Sequence, residues 1–418
     1  MKKALSLVLA LALLLCAVAA VAEPTAIDGK ADRGITINTA GLNEAEPGVS
    51  PTTGRKLDEI ACPDGFLGMA VTGVYQPFMV QISNSNNGVG TYSGTGSKSG
   101  QPYRLAPVNG TYADVVYEAV QKRGGSESRM SMIFSDTIPD YVGFVRSTRA
   151  THPRIRQEWE CAFCTSGYSV KDVPEEWKKL GVKNPAGATD DDPGIAYVGD
   201  FPKVWHPYVF RLHPYQGPNN EIFNLTGILQ NVVPKDHVPA NHTWLFTDEK
   251  PTNGDSGEII YVTFGDKNNS DSRLEYDAAN NCYIRYVAYG DQGDLPYCEN
   301  KLVNPRPEKV KDENGNTVTK LAVDDLAAGE PLTFNNVIVQ GIEMKWEGQL
   351  RPDPQLVGTG IADYFMGGKH IAGVWQREDM NSRTVFYGED GNEIKLQRGK
   401  TLIILMGYND EGCGVKYE

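Results

Sequence analysis

The sequence predicts an α+β protein, with a mixed α/β-layer domain over about residues 49–240 and a mostly β domain over about 241–418. Before residue 240, short apolar runs alternate with helix-like stretches, which is typical of a mixed layer domain. After residue 240, strand-like runs are separated by turns rich in Asn and Gly, and almost no helical pattern remains. The length of 418 residues is also that of about two domains.

The first 22 residues have the pattern of a signal peptide. Two lysines precede an apolar run over Leu5–Leu15, and Ala20–Ala22 has the small residues of a cleavage site. The run is too short for a comfortable membrane span. A lipoprotein anchored through Cys16 is the alternative, but a lipidated Cys normally follows a small residue, and here it follows leucine. We therefore expect a protein secreted to the extracellular face of the cell envelope, with no transmembrane helix in the mature chain.

The mature chain would be strongly acidic. Cleavage removes two lysines, so the formal net charge would change from −13 to −15. This charge argues against nucleic acid as a partner and against binding to an anionic membrane surface. Solubility is its simplest role. The first mature residues, 23–48, lack hydrophobic periodicity and predict a flexible tether.

The N-terminal domain is predicted to contain three helices. Apolar residues recur at helical spacing over Tyr112–Arg123, and Gly124 would end this helix. A second helix should start near Thr148, because Pro153 would fall near its first turn. A third covers Pro174–Leu180, with Pro at its start. The predicted strands are Pro77–Ile82, Arg129–Phe134, Tyr141–Val145 and Trp159–Phe163.

The C-terminal domain is predicted to consist of strands and hairpins. Glu258–Phe264, Val337–Gln340 and Thr401–Met406 are apolar runs of strand length. Asn314-Gly315 is a strong two-residue turn signal. Three further hairpins are predicted, namely Leu274–Asp277 with Cys282–Tyr289, the two arms of Tyr364–Ile371, and Val385–Tyr387 with Glu393–Leu396.

The mature chain has six cysteines, an even number that fits disulfide bonds in an exported protein. The sequence does not choose their connectivity. Cys282 with Cys298 is the nearest sensible pair because a reversing segment lies between them, and Cys62 with Cys413 would join the two ends.

Cys161-x-x-Cys164 has the spacing of a redox or zinc motif. In a strand these two thiols would point to opposite faces, and no second Cys or His pair offers further zinc ligands. Buried thiols or separate disulfides are therefore favoured. The sequence has no phosphate-binding loop and no dinucleotide fingerprint, and we expect no metal and no cofactor.

An ordered but discontinuous set of short motifs spans about residues 50–410. The motifs are Pro51–Gly54, Gln76–Asn84, Ala113–Glu118, Gly124–Arg129, Gly143–Arg149, Pro218–Asn220, Asn336–Gln340, Gly358–Gly360 and Gly399–Thr401. Together they resemble the YerB-like family of bacterial exported proteins, a domain of unknown function with N- and C-terminal parts. The family has a Pro-His-Asn element, and Asn219 replaces its histidine here. The resemblance implies an envelope location and two domains, but no reaction.

Arg146 and Arg149 are the strongest candidates for a ligand site. A guanidinium group matches carboxylate and phosphate oxygens. At a helix start the two side chains would share a face, and Ser147 or Thr148 would cap the helix or bind the ligand. The alternative is that one arginine pairs with Asp114 or Glu118 and only stabilises the fold. Arg129 is compatible with either arrangement. Asn219 and Asn220 are further candidates for ligand binding.

Asp114, Glu118 and His152 are weaker candidates for catalysis. On a helix the two carboxylates would share one face, where such a pair serves in general acid–base chemistry. His152 lies beside the arginines in sequence and is a candidate base. More often, such carboxylates form a solvated face or pair with arginine.

Three hypotheses for function follow. The first is a non-catalytic envelope protein that binds an anionic group on a cell-wall polymer or an envelope protein through the arginine-lined cleft. The second is a cell-wall hydrolase that uses Asp114, Glu118 or His152. The third is a scaffold whose β domain binds another protein through an exposed strand edge. The oligomeric state does not follow from the sequence.

Overall fold

The computed structural model describes most of the chain after the predicted signal peptide. Cys16 and Asn219 lie outside the described residues. These are 23–38, 43–84, 89–104, 106–125, 127–169, 172–180, 195–197, 208–217, 220–233, 239, 241–267, 270–288, 294–312, 314–348 and 351–418.

The described chain is mostly β. Its four α-helices are short, and the longest has nine residues. No helix in the described ranges has the length and apolar character needed to cross a bilayer. The helices are α1 (Met69–Thr72), α2 (Thr151–Trp159), α3 (Val173–Lys179) and α4 (Leu225–Asn231), and 3-10 turns occupy Leu57–Glu59 and Gly110–Tyr112.

Strands fill both halves of the chain. Those before residue 240 are β1 (Thr25–Ala26), β2 (Asn43–Glu44), β3 (Phe78–Asn84), β4 (Val89–Tyr92), β5 (Pro102–Arg104), β6 (Val115–Val120), β7 (Ser128–Phe134), β8 (Tyr141–Gly143), β9 (Ala162–Thr165), β10 (Ile195–Tyr197), β11 (Val209–His213), β12 (Tyr215–Gln216) and β13 (Glu221–Asn224). Those after it are β14 (His242–Thr243), β15 (Leu245–Thr247), β16 (Asp255–Ser256), β17 (Ile259–Phe264), β18 (Ser272–Asp277), β19 (Cys282–Ala288), β20 (Asp294–Pro296), β21 (Cys298–Val303), β22 (Arg306–Lys311), β23 (Thr317–Ala322), β24 (Asp325–Pro331), β25 (Thr333–Phe334), β26 (Asn336–Gly341), β27 (Glu343–Trp346), β28 (Pro352–Gln355), β29 (Gly358–Met366), β30 (Lys369–Arg377), β31 (Val385–Gly388), β32 (Lys395–Gln397), β33 (Thr401–Met406) and β34 (Cys413–Tyr417).

A central sheet of eleven strands combines both halves of the chain. Its order is β10-β9-β3-β7-β6-β33-β26-β29-β30-β16, with β31 paired to β30. The C-terminal strand β33 lies parallel to both β6 and β26, and all six of its residues are buried. A strand covered on both faces is a continuous apolar run, which is why Thr401–Met406 was predictable. This sheet contains strands from both sides of residue 240. The predicted domain boundary there stays a prediction.

The predicted helix over Tyr112–Arg123 is wrong. A 3-10 turn ends at Tyr112, and the buried strand β6 follows. A short apolar run that is buried all round fits a helical period as well as a strand. Three of the six residues of β6 are valine, a β-branched residue that favours strands. The N-terminal part therefore has less helix and more sheet than the sequence predicts.

Other elements lie close to their predicted positions. The hairpins β18–β19, β22–β23 and β29–β30 are confirmed. The helix near Thr148 starts at Thr151 and contains Trp159, so strand β9 begins later than predicted. The predicted hairpin over Val385–Leu396 is confirmed at its turn, where Tyr387 forms an antiparallel bridge with Glu393 and the Ile394 N–H donates to the Phe386 carbonyl at 2.9 Å. Its outer edges pair further, β31 with β30 and β32 with β15.

The prediction of disulfide bonds is also wrong for the described residues, where no disulfide bond joins any of the six mature cysteines. Strand β19 pairs with β20 so that Tyr286 lies opposite Pro296. Beyond this pair, strand β25 takes the edge of β19, with Ile284 opposite Thr333, and Cys298 lies opposite Pro331 in the pair β21–β24. The reversing segment is present, but its register does not bring these two thiols into direct opposition.

Residues 23–38 of the predicted flexible tether are attached to the C-terminal half of the chain. Strand β1 pairs with β34, which adds it to the seven-stranded sheet β1-β34-β17-β18-β19-β20, in which β25 pairs with β19. Arg33 donates two hydrogen bonds to the Asp363 carboxylate at 2.8 Å. It also donates to the carbonyl oxygens of Ala362 and Gly373, at 2.6 and 2.7 Å. A planar guanidinium group satisfies a buried carboxylate in this way.

We predict that Arg33→Met destabilises the mature chain by about 3 kcal/mol, because it leaves the buried Asp363 carboxylate without its guanidinium partner. The control is Arg306→Met, whose ion pair with Asp324 is about half exposed on both sides. An exposed pair of this kind contributes less than about 1 kcal/mol. Chemical denaturation measures both free energies of unfolding. Equal, small losses in the two variants would contradict the attachment of the N-terminal segment.

Candidate functional site

Residues 146–149 form an extended loop and not the start of a helix. The Arg146 backbone N–H donates to the Gln81 carbonyl at 2.7 Å, and the Thr148 N–H donates to the Gly167 carbonyl at 3.0 Å. Helix α2 starts at Thr151, and its N-cap makes no side-chain hydrogen bond. The predicted shared helix face and the cap by Ser147 or Thr148 are therefore wrong. Strand β3 on one side and residues 165–168 on the other hold the loop.

The loop nevertheless brings Arg146 beside Arg129, and both contact the carboxylate of Glu127, which was not predicted. Arg129 donates to Glu127 Oε1 from Nη2 at 2.9 Å and from Nε at 3.2 Å. Arg146 Nη2 donates to the same oxygen at 3.1 Å. Arg129 also donates to the Ser147 carbonyl oxygen. Two guanidinium groups thus share one carboxylate, and Arg129 is only 2% exposed. We call Glu127, Arg129, Arg146, Arg149 and His152 the arginine cluster.

His152 lies at the start of α2 and is 1% exposed. The Arg149 backbone N–H donates to its Nδ1 at 3.0 Å. The neutral ring therefore carries its proton on Nε2, which is a donor. This buried Nε2 and the buried Nε of Arg146 have no hydrogen-bond partner within the described part of the chain.

The positive charges of the arginine cluster shift the pKa values of its members. Burial, together with the charges of Arg129 and Arg149, lowers the pKa of His152 well below its usual value. Burial alone would raise the pKa of Glu127, but the attraction of Arg129 and Arg146 lowers it to about 2. Burial and repulsion from Arg149 and Arg146 lower the pKa of Arg129 and outweigh the attraction of Glu127. Glu127 thus stays ionised and His152 stays neutral near neutral pH.

Asp114 and Glu118 do not form a site with His152. Glu118 is fully buried and accepts hydrogen bonds from Arg285, Asn84 and Ser128 at 3.2, 2.6 and 2.9 Å. Asp114 instead accepts hydrogen bonds from the backbone N–H and the side-chain hydroxyl group of Ser135. Because the chain is extended here and not helical, the Cα atoms of these two residues, four positions apart, are separated by about 13 Å. Arg146 pairs with Glu127, so the predicted alternative of a pair with Asp114 or Glu118 is wrong for Arg146 and stays a prediction for Arg149.

Asn220 holds a neighbouring loop in the described contacts. Its side-chain amide donates to the carbonyl oxygens of Leu212 and Tyr215 at 3.2 and 2.8 Å, and accepts from Arg211 at 3.1 Å. The predicted role of Asn219 and Asn220 in ligand binding stays a prediction.

Cys161 and Cys164 are both fully buried. Burial raises the pKa of the Cys161 thiol to about 12 and also raises that of Cys164. A thiolate is the form that attacks disulfides and binds metals, so these thiols are unreactive near neutral pH. This agrees with the interpretation as buried thiols.

Glu127 was not predicted because the partners of the arginines were expected on the predicted helix. It stands two residues before Arg129, and residues two apart in an extended segment share a face. That spacing was the available signal, in the stretch Gly124–Arg129 that carries part of the resemblance.

The fold and the arginine cluster define a mostly β protein with a partly buried cationic site. Residues 109–230 match the model of the protein of unknown function (DUF3048) N-terminal domain, and residues 260–403 match that of its C-terminal domain. The chain therefore belongs to the DUF3048 family, which confirms the predicted YerB-like resemblance.

A solved structure has the same fold. The YerB protein from Bacillus subtilis is 19% identical, with a TM-score of 0.53, over 86% of this chain and 96% of that chain. At this identity, the likeness concerns the fold alone. No curated protein matches the sequence.

We predict that Glu127 stabilises the fold above about pH 4.5 and that this contribution is lost as the pH falls towards 2. The sign follows because the folded pKa of Glu127 is lower than its unfolded pKa, so the folded state binds fewer protons in this window. The free energy of unfolding of wild type should exceed that of Glu127→Gln by up to about 3 kcal/mol near neutral pH. This difference should shrink as the pH falls. Denaturation from pH 7 to pH 2 measures it, with the exposed Glu330→Gln as a control. A difference that grows as the pH falls would contradict this assignment.

Proposed function

We propose that this chain is an exported cell-envelope protein that binds an anionic group at the arginine cluster. One observation carries the proposal. Arg129 and Arg146 share the single carboxylate of Glu127, while two buried donors, Arg146 Nε and His152 Nε2, have no partner within the described residues. A carboxylate or phosphate group on the ligand would satisfy these donors.

An unbalanced buried charge favours the binding of an anion. Glu127 neutralises only one of the two guanidinium charges it contacts, and burial makes the remaining positive charge unfavourable. A bound anion would lower this free energy. Arginine also favours such a ligand because its planar group forms two parallel hydrogen bonds with a carboxylate or phosphate.

The side chain of Arg146 is 19% exposed and that of Glu127 is 23% exposed, so the arginine cluster is accessible on this side. Arg129 and His152 lie beneath, almost fully buried. The ligand would therefore contact Arg146 first. An anionic cell-wall polymer or an acidic segment of an envelope protein fits the predicted export of the chain.

The three candidate catalytic residues of the hydrolase hypothesis do not share a pocket in the described part of the chain. Glu118 is sequestered with Arg285, Asp114 lies near Ser135, and the neutral His152 belongs to the arginine cluster. A binding function is therefore the better supported of the two.

We predict that Arg146→Gln weakens binding of the mature chain to cell-wall sacculi that carry anionic polymers. Loss of one charged hydrogen bond predicts a dissociation constant about tenfold higher. Cosedimentation with sacculi measures the binding, and sacculi stripped of their anionic polymers should retain little protein.

Arg351→Gln is the matched control. Its guanidinium group is 24% exposed and pairs with one glutamate, as Arg146 does, but it lies in another part of the fold. If the Arg146 and Arg351 variants, both folded, bind as tightly as wild type, the arginine cluster is not the site.

We also predict that sulfate raises the pKa of His152. Burial and the charges of Arg129 and Arg149 lower this pKa, and a bound anion would offset the two positive charges. Titration of the ring protons by NMR, with and without sulfate, measures the change. His213 is the control, because its pKa is lowered by burial and by Lys320, away from the arginine cluster. Equal shifts at both histidines would indicate a general salt effect and contradict binding at the cluster.

A further inference from the structure

A second feature, a cleft of about 540 Å³, lies where several parts of the chain meet. None of the five residues of the arginine cluster lines it. Three of its segments come from stretches that carry the family resemblance, namely Pro51–Gly54, Ala113–Glu118 and Gly399–Thr401. The volume is in the range of sites for small molecules.

The floor of the cleft contains a pair of buried carboxylates. Asp114 Oδ2 accepts hydrogen bonds from the backbone N–H groups of Ser135 and Asp136, at 2.6 and 2.9 Å. Asp136 accepts from the hydroxyl groups of Ser50 and Thr53, at 2.5 and 2.6 Å. These bonds fix both side chains, so the carboxylates cannot rotate away from the cleft without losing them.

One oxygen of this pair is available to a ligand. Asp114 lines the cleft and is 4% exposed, and its hydrogen bonds with Ser135 and Asp136 all use Oδ2, which leaves Oδ1. Burial and the charge of Asp136 raise the pKa of Asp114 well above its usual value. Burial likewise raises the pKa of Asp136, although the surrounding hydroxyl groups oppose this. Such a pair retains a proton more readily than separate carboxylates do, so Oδ1 can accept a hydrogen bond or donate one.

The walls add donors. Lys400 is partly buried, and its ammonium group donates to the Thr111 carbonyl oxygen. This contact uses one of its three donors. Arg55 donates to the Glu59 carbonyl oxygen, and Arg398 lies 3.1 Å from Asp248. The cleft is therefore lined by cations and carboxylates together.

This mixture argues against selection for a strongly charged ligand. Arg55, Arg398 and Lys400 line the same cleft as Asp114 and Asp136, with the carboxylates Glu59 and Glu330 also in the lining. A sugar hydroxyl group both donates and accepts, so it can be satisfied by an ammonium or guanidinium group on one side and a carboxylate on the other. The ring of Tyr112, held edge-on by Phe66 at 5.2 Å, supplies an apolar surface for a sugar ring.

We propose that the cleft is a second ligand site, which binds a neutral, hydroxyl-rich ligand such as a short oligosaccharide. Asp114 Oδ1 binds a ligand hydroxyl group, Lys400 donates to a second, and Tyr112 contacts the ring. This site is separate from the arginine cluster and does not depend on anion binding there.

The test is calorimetric titration of the mature chain with three neutral probes, cellotetraose, maltotetraose and tri-N-acetylchitotriose. At least one should bind with a dissociation constant at or below about 1 mM. Asp114→Asn, which presents an amide group in place of the free oxygen, and Lys400→Met should each weaken this binding at least about tenfold. Tyr112→Ser, at the partly exposed wall, provides a third variant if either of the others fails to fold.

Two control variants establish whether binding is specific to the cleft. Asp324→Asn changes an exposed carboxylate elsewhere, and Arg146→Gln changes the arginine cluster, so both should leave oligosaccharide binding unchanged. The proposal is overturned if no probe binds at about 10 mM, or if binding is insensitive to the three cleft variants. It is also overturned if inorganic phosphate displaces the oligosaccharide through Lys400, because the site would then select anions.

Discussion

The parallel pairing of β6 with β33 is the constraint on which the rest of the structure depends. It joins the two family-defined parts in one sheet, with Val115 opposite Thr401 and Ala119 opposite Leu405. Both strands are buried along their whole length, so a slip by one residue would exchange their two faces. This fixed register lets the Thr401 N–H donate to the Asp114 carbonyl at 3.0 Å, and so places Lys400 beside Asp114.

A buried ion pair fixes the second sheet against the first. Arg285 on β19 contacts both oxygens of Glu118 on β6 at 3.2 Å, and both side chains are fully buried. The guanidinium group also lies over the Tyr297 ring, 4.8 Å from its centre. A buried pair of this kind gives little net stability but strongly disfavours arrangements that would separate its partners. The same residue type thus has two uses here, because Arg285 is fully buried and orders the fold, while the side chain of Arg146 is partly exposed in the arginine cluster.

The sequence predicted elements whose signal is local. The buried strand over Thr401–Met406 and the hairpin at Asn314-Gly315 were found because length, composition and turn residues specify them without reference to the rest of the chain. The helix over Tyr112–Arg123 was wrong because a short apolar run fits both periods, and only its neighbours β7 and β33 decide for a strand.

The candidate site was predictable in part for the same reason. The residue types of Arg146, Arg149 and Arg129 predicted a cationic site, yet the contact of Glu127 with Arg129 and Arg146 depended on an extended conformation that the helical prediction excluded. The contact of Arg33 with Asp363 joins residues 330 positions apart, and no local pattern signals it. The cleft around Asp114 has the same character, since its walls come from distant segments.

The most direct test of the central claim is a crystal structure of the mature chain with tungstate, an oxyanion that X-ray scattering locates without ambiguity. Anion binding at the arginine cluster predicts tungstate with an oxygen within hydrogen-bond distance of the Arg146 guanidinium group, while Glu127 keeps its contact with Arg129. A well-ordered structure with tungstate bound elsewhere, and Arg146 still paired only with Glu127, would contradict the account.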